Sequence, residues 1–244
     1  MMLSVPAFST ALCESQDKAS VLRHFYGAGI DLKSKQTKTL SRQFRDESMK
    51  AYPSPLEIAS ARVTIPKLMK IRGSQTQMGF YPGAYRYDVI NEGGVAVVEV
   101  RVQLKDGTSY DKATIASRLQ GAENIWNMTR PQMGFAYRFR FKLVDTKDEA
   151  HYRVHVKKNT RGPYFKNWDS DSWWTAGTQA HEMGHMMGLS DEYEGISGSM
   201  KNCSHVSMWC NDAGYIEPYH YYFVLRRIVM QAEGCKTKVA KNDD

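Results

Sequence analysis

Beyond about residue 94 the chain alternates between hydrophobic and polar positions, and this alternation predicts β-strands. Hydrophobic residues occupy every second position from Val98 to Leu104, and charged or polar residues lie between them. Because successive side chains of a strand point to opposite faces, the pattern is typical of a strand with one buried face. Residues 135–143 and 152–157 repeat the pattern and predict two further strands.

Helical spacing separates and follows these strands. Hydrophobic residues three and four apart from Ile115 to Trp126 predict the buried face of one helix. A second helix is expected from about Thr175, with Met183 among its inward side chains, and a last helix is expected after Pro218. This order of strand, helix, strands and helices predicts an α/β (α+β) domain.

The first part of the chain has a less regular pattern. Helical stretches are expected at 15–26, 36–49 and 55–61, followed by a glycine-rich passage. We therefore predict two regions: a largely helical region at 1–93 and the α/β domain at 94–244. The first region could be a propeptide, an extension packed on the second, or a substrate-recognition subdomain.

Composition and charge exclude some classes of function. The 244 residues include 33 Lys and Arg against 26 Asp and Glu, a formal net charge of +7. The basic residues are scattered and form no long run, which favours a role in solubility, and we expect no nucleic-acid partner. No apolar run approaches the roughly 20 residues that cross a bilayer, so no transmembrane segment is expected.

The most informative segment begins at His181 and reads H-E-M-G-H-M-M-G-L-S-D. On a helix, His181 and His185 share one face, so both imidazoles can reach one metal ion while Glu182 lies beside them. Gly188 can end the helix in a left-handed conformation. Asp191 follows three residues later, where the chain could return to the ion.

These residue types suit a catalytic zinc site. Such a zinc takes three nitrogen or oxygen ligands and keeps one position open for water. His181, His185 and Asp191 would supply the ligands, and Glu182, a neighbour of a ligand, could move the proton of the activated water. Glu192 is an alternative third ligand. The alternative to any metal site is an ordinary helix with two hydrogen-bonded histidines.

At these residues the chain resembles the metzincin metallopeptidases, whose motif is H-E-x-x-H-x-x-G-x-x-H, in the snapalysin-like form that ends in aspartate. The resemblance covers roughly residues 94–233. It implies a zinc-dependent endopeptidase that hydrolyses a protein or peptide substrate, with Glu182 as general base and acid. It also implies a twisted mixed sheet, an active-site helix, a Met-containing turn and a C-terminal helix.

Two other functions share the motif. One is a secreted effector or toxin protease whose zinc site cuts one narrow protein target. The other is a non-catalytic binding module in which zinc only staples the loop after Gly188. Glu182 argues against the binding module, because structural zinc sites are closed by four ligands and need no base. The sequence leaves the oligomeric state open.

The resemblance offers two positions for the methionine beneath the metal, Met200 and Met208. Met208 fits better, because the chain after it runs through Gly214 and Pro218 directly into the last expected helix. Either methionine could instead fill a gap in the core, which is a common use of this adaptable side chain.

The cysteines bear on location. Cys13, Cys203, Cys210 and Cys235 allow three disulfide pairings, and the sequence does not choose among them. Snapalysin-like enzymes brace the loop below the metal, which the resemblance would place between Cys203 and Cys210. Disulfides and this enzyme type imply a secreted or extracellular protein, although the first residues do not form a clear signal peptide. A zinc site of Cys203, His205 and Cys210 is the alternative.

Several aromatic residues and histidines are secondary candidates. Substrate is expected along a strand edge, at residues 152–158 or 162–164. Trp168, Trp173 and Trp174 either line a subsite or pack behind the metal helix. Tyr193 and His220 could assist at the metal, and both also fit ordinary packing. The remaining histidines are expected at the surface: His24, His151, His155 and His205.

Overall fold

A mixed six-stranded sheet and five helices make up the described part of the protein, which is a computed structural model covering residues 18–26, 54–77, 81–157, 167–170, 174–190 and 215–234. The helices are α1 (Lys18–Tyr26), α2 (Pro55–Ser60), α3 (Ser109–Met128), α4 (Ala176–Met186) and α5 (Pro218–Ala232). The strands are β1 (Leu68–Gln77), β2 (Tyr81–Glu92), β3 (Val95–Lys105), β4 (Tyr137–Leu143), β5 (Tyr152–Val156) and β6 (Asn167–Trp168). Within these ranges no helix combines the length and the apolar character needed to cross a bilayer.

Strand β3 is the centre of the sheet. It pairs antiparallel with β2 through Val95–Glu99 and parallel with β4 and β5, and β5 pairs parallel with β6. The amide of Val144 donates to the Val102 carbonyl, whereas the amide of His151 donates to the Arg101 carbonyl. Neighbouring carbonyls of a strand point to opposite edges, so β5 shares an edge of β3 with β2, and β4 takes the other edge.

The strands and helices predicted from their hydrophobic patterns beyond residue 94 are confirmed. Val98, Val100 and Val102 are fully buried on the face of β3 that packs into the core. Helix α3 begins at a capping box, in which the Thr108 hydroxyl accepts from the Asp111 amide and the Asp111 carboxylate accepts from the Thr108 amide. Its predicted inward residues are all buried: Ile115, Leu119, Ala122 and Trp126.

The N-terminal region differs from its predicted, largely helical form. Helices α1 and α2 lie within two of the expected stretches, and the third, 36–49, lies outside the described residues. Residues 68–92, however, form the two long strands β1 and β2. Gly73, in the glycine-rich passage, has a packing role, because it pairs with Tyr85 and a Cβ there would overlap the Tyr85 hydroxyl.

The proposed boundary between 1–93 and 94–244 falls within a hairpin. Gly93 and Gly94 have φ angles of +60° and +88° and join β2 to β3, as a two-residue turn requires. Strands β1 and β2 therefore belong to the same sheet as the later strands.

Helix α5 is buried along most of its length. Every residue from Tyr219 to Met230 is buried, including the charged side chains of Arg226 and Arg227. Phe25 of α1 contacts α5, with its ring centroid 5.5 Å from that of Tyr222. A helix buried all round needs partners on each face, and here α1 and α2 cover part of it.

The opposite face of the sheet carries a network of ion pairs. Asp88 and Glu99, which are 2% and 3% exposed, lie beneath arginine side chains. Arg101 bridges them, with nitrogen to oxygen distances of 2.8 Å to Asp88 and 2.9 Å to Glu99. His151 lies 3.1 Å from Asp88 and is only 9% exposed, so the expectation of a surface histidine is wrong at this position.

Mild acid should weaken the protein through His151. Burial lowers the pKa of His151 to about 4, although the negative charge of Asp88 acts in the opposite direction and raises it. Between that value and the ordinary pKa of about 6.5, the unfolded chain binds more protons at this ring than the folded protein does. The stability that is present above this pH range is therefore lost as the pH falls through it. In urea unfolding, the free energy of unfolding should fall between about pH 7 and pH 4.5. This fall should be smaller in His151→Gln than in the wild type by about 2 kcal/mol. An identical pH dependence in the variant would mean that the folded protein protonates this ring as readily as the unfolded chain does.

Candidate functional site

The candidate metal site is built on α4. Thr175 caps the helix: its hydroxyl accepts from the Thr178 amide at 3.2 Å, and the Thr178 hydroxyl accepts from the Thr175 amide at 3.4 Å. The helix packs against α3, whose Trp126 indole donates to the Ala180 carbonyl at 3.1 Å. The predicted helix is confirmed: its start is capped locally, and its middle is hydrogen-bonded to the buried Trp126 of α3.

His181, Glu182 and His185 form one buried group at the C-terminal half of α4. Their exposed fractions are 3%, 1% and 6%, and one ligand atom from each lies within 4.8 Å of the others. The two Nε2 atoms are 2.9 Å apart, and the rings are nearly perpendicular at 84°. Two imidazoles and a carboxylate so close together, out of water, are a donor set that could hold a metal ion.

The tautomer of His185 follows from its second nitrogen. Its Nδ1 lies 2.7 Å from the Leu189 carbonyl oxygen, which can only accept, so Nδ1 carries the hydrogen. In the neutral ring this leaves the lone pair on Nε2, the atom that faces His181. Metal-binding histidines are commonly oriented by such a bond from the other ring nitrogen.

The spacing of the two nitrogens fits a shared ion. Two nitrogens bound at about 2.0–2.1 Å to a tetrahedral zinc would lie about 3.3 Å apart. The two Nε2 atoms are 2.9 Å apart, so small side-chain movements would reach that value. The residues that are present therefore fit zinc, and the arrangement is compatible with other ions that prefer imidazole.

Gly188 ends the helix as the sequence predicts. Its φ angle is +90°, its amide donates to the His185 carbonyl at 3.0 Å, and the Leu189 amide donates to the Gly184 carbonyl at 2.9 Å. These two bonds define a Schellman motif, which reverses the chain after a helix. The turn brings the Leu189 carbonyl back to His185.

Side chains from distant elements hold the carbonyls of this turn. The Tyr152 hydroxyl of β5 donates to the Met186 carbonyl at 2.6 Å. Arg227 of α5 donates to the carbonyls of Met187 and Gly188. The sequence places Tyr152 only in a strand and a candidate substrate rim and gives no signal for this contact; the signal for Arg227 is a charged pair inside the apolar run of the last helix.

Some predicted site residues lie outside the described part of the chain. They are the third-ligand candidates Asp191 and Glu192, the turn methionines Met200 and Met208, and the four cysteines, Cys13, Cys203, Cys210 and Cys235. Tyr193, His205, Trp173 and the possible substrate rim at 158 and 162–164 also lie outside it. The structure therefore brings together three of the predicted site residues, His181, Glu182 and His185.

The other described candidates have packing roles. Trp168 and Trp174 are 0% and 1% exposed, and the Trp174 indole donates to Gln179 of α4 at 3.2 Å, which matches packing behind the metal helix. His220 is 2% exposed, and its Nδ1 accepts from the Glu217 amide at 2.9 Å at the start of α5. Neither tryptophan presents a surface to a cleft.

Comparison of the chain with protein-family models, curated proteins and solved structures found no match in any of the three. The class that fold and site define is a mixed α+β protein with a six-stranded mixed sheet and a buried His-Glu-His group.

Proposed function

We propose that the protein is a zinc-dependent endopeptidase. The observation that carries the proposal is the buried group of His181, Glu182 and His185, with two imidazole nitrogens facing each other at 2.9 Å. Imidazole nitrogens and carboxylate oxygens are the donor types that a catalytic zinc takes, and here they are grouped within 4.8 Å of one another in buried side chains.

His181 and His185 would hold the zinc through Nε2, and Asp191, three positions after Gly188 in the sequence, is the third ligand that the metzincin resemblance implies. Zinc bound there would polarise a peptide carbonyl and make water a better nucleophile. The bond from His185 to the Leu189 carbonyl keeps the ring in the orientation and tautomer that ligation needs.

Glu182 is the proposed general base and acid. It lies next to His181 on α4 and is 1% exposed, so its carboxylate acts in a medium where charge interactions are strong. It would accept a proton from the attacking water and deliver that proton to the leaving amine. This role requires a carboxylate that is near the ion and is not consumed as a ligand.

The order of elements also supports the proposal. Strand β3, helix α3, strands β4 to β6, helix α4 and helix α5 follow the order that the metzincin resemblance implies for its catalytic domain. Strands β4, β3, β5 and β6 are parallel neighbours, and the metal helix follows directly after them. The proposed substrate class is protein or peptide. The proposed location is secreted or extracellular, where such an enzyme would meet protein substrates outside the cell.

Metal analysis and proteolysis of a mixed protein substrate test the proposal. We expect one zinc per chain by elemental analysis, cleavage by the purified full-length protein, loss of cleavage with a zinc chelator, and recovery when zinc is added back. Zinc without cleavage of any tested protein would favour the narrow-target protease or the binding module. A protein that contains no zinc and binds none from solution would contradict the proposal.

A further inference from the structure

We propose that Arg227 is a positioning residue of the metal site, which acts by holding the turn that follows the metal helix. The inference rests on the proposed function and extends it to a residue outside the motif. Arg227 is 1% exposed, and its guanidinium donates to the Met187 carbonyl and, at 2.9 Å, to the Gly188 carbonyl. It therefore joins α5, near the end of the described chain, to the end of α4.

The bonded carbonyls are ones that the helix cannot satisfy itself. The last carbonyls of a helix have no partner within it, and the C-terminal end of the helix dipole attracts positive charge. A guanidinium is a planar fork that reaches two acceptors at once, whereas an ammonium is a point donor on a flexible stem. Charge-assisted hydrogen bonds of this kind are roughly twice as strong as neutral ones.

Arg227 is itself held in place from the other side. Its guanidinium carbon lies 4.2 Å from the centroid of the Tyr85 ring in β2, a cation–π contact. At Gly188, an added Cβ would lie 2.6 Å from Nη1 of Arg227 and 2.8 Å from the Tyr85 ring. The guanidinium is thus packed between the Tyr85 ring and Gly188, which has no side chain, and it has little freedom to move.

The contact between Arg227 and the turn is connected, through two successive carbonyls, to the ring of His185. Arg227 fixes the Gly188 carbonyl, and the next carbonyl, that of Leu189, receives the Nδ1 hydrogen of His185. That bond sets the lone pair of His185 toward His181. A less ordered turn therefore leaves the His185 imidazole less firmly oriented.

The test is the zinc affinity of Arg227→Lys in the full-length protein. Lysine keeps the charge and loses the two-pronged bond, so we expect zinc to bind about 10- to 100-fold more weakly in competition with a chromophoric chelator. Cobalt in place of zinc should show an altered visible spectrum, because the spectrum follows ligand geometry. Circular dichroism checks that the variant is folded.

Arg226→Lys is the matched control. Arg226 is 0% exposed, lies in the same helix, and places its guanidinium 5.3 Å from the Phe223 ring centroid and 5.8 Å from that of Tyr222. We expect this variant to keep the zinc affinity and the cobalt spectrum of the wild type. Equal losses in both variants would show a general loss of stability and overturn the inference.

A second pair of variants covers the case in which Arg227→Lys does not fold. Tyr85→Phe keeps the ring under the guanidinium and should bind zinc normally, whereas Tyr85→Leu removes the cation–π contact and should bind it more weakly. Wild-type affinity in folded Arg227→Lys, or in Tyr85→Leu, overturns the inference alone. Failure of the wild type to bind zinc overturns the proposed function as well, so the two failures are distinguishable.

Discussion

Replacing Glu182 by glutamine should lower kcat/KM on a peptide substrate by roughly 10²–10⁴-fold, the usual contribution of a general base. Glutamine has nearly the same shape, but it cannot accept and return a proton at neutral pH. Since Glu182 is proposed to lie beside the ion without binding it, the zinc content should remain one per chain. The measurements are steady-state cleavage of a fluorogenic peptide and elemental analysis of the same sample.

Glu149→Gln is the control for this substitution. Glu149 is exposed on the loop after β4, so the same chemical change there should leave both cleavage and zinc content unaltered. An active Glu182→Gln enzyme would contradict the role assigned to this carboxylate. Loss of zinc together with activity would instead make Glu182 a ligand, which the close grouping of the three side chains also permits.

The elements around the site could be predicted because their signals are local. Alternation from Val98 to Leu104 and helical spacing from Ile115 to Trp126 each reflect one buried face of one element. The sequence predicts that Gly188 ends α4, because this prediction depends only on the backbone preference of glycine itself. The φ angle of +90° agrees. Patterns of this kind need no knowledge of what packs against them.

What could not be predicted depends on pairs of residues far apart in the chain. The alternation of Tyr85, Tyr87 and Val89 in β2 was hidden by the surrounding glycines, and the role of Gly73 appears only when Tyr85 lies across from it. Similarly, nothing near Arg227 in the sequence indicates that it reaches the end of α4.

The polar face of the sheet shows the same limit. The acidic residues nearest to His151 along the chain, Asp148 and Glu149, are exposed, and the burial of His151 follows from the pairing that places it beside Asp88 and Arg101. The sequence therefore favoured a surface histidine. Only the crossing of the chain from β4 to β5 explains why this side chain is enclosed.

Gly188→Ala should destabilise the protein more than an ordinary glycine substitution. A left-handed backbone conformation costs about 1–2 kcal/mol for a residue with a Cβ, and forcing an extra methyl group into a packed core typically adds about 1–3 kcal/mol. Here the methyl group would lie 2.6 Å from Arg227 and 2.8 Å from the Tyr85 ring. We therefore expect a loss of about 2–5 kcal/mol in the free energy of unfolding, measured with urea in the absence of metal.

Gly93→Ala separates the cost of the left-handed backbone conformation from the cost of crowding by the added methyl group. Gly93 also has a positive φ angle, +60°, but an added Cβ there meets no atom within 4 Å among the described residues. Its substitution should cost only the backbone term of about 1–2 kcal/mol. If Gly188→Ala cost no more than Gly93→Ala, the turn would tolerate a displaced Arg227, and the positioning of the metal helix would have to come from elsewhere. A larger cost, together with weaker zinc binding only in Gly188→Ala, would connect the packing of this turn to the metal site that it supports.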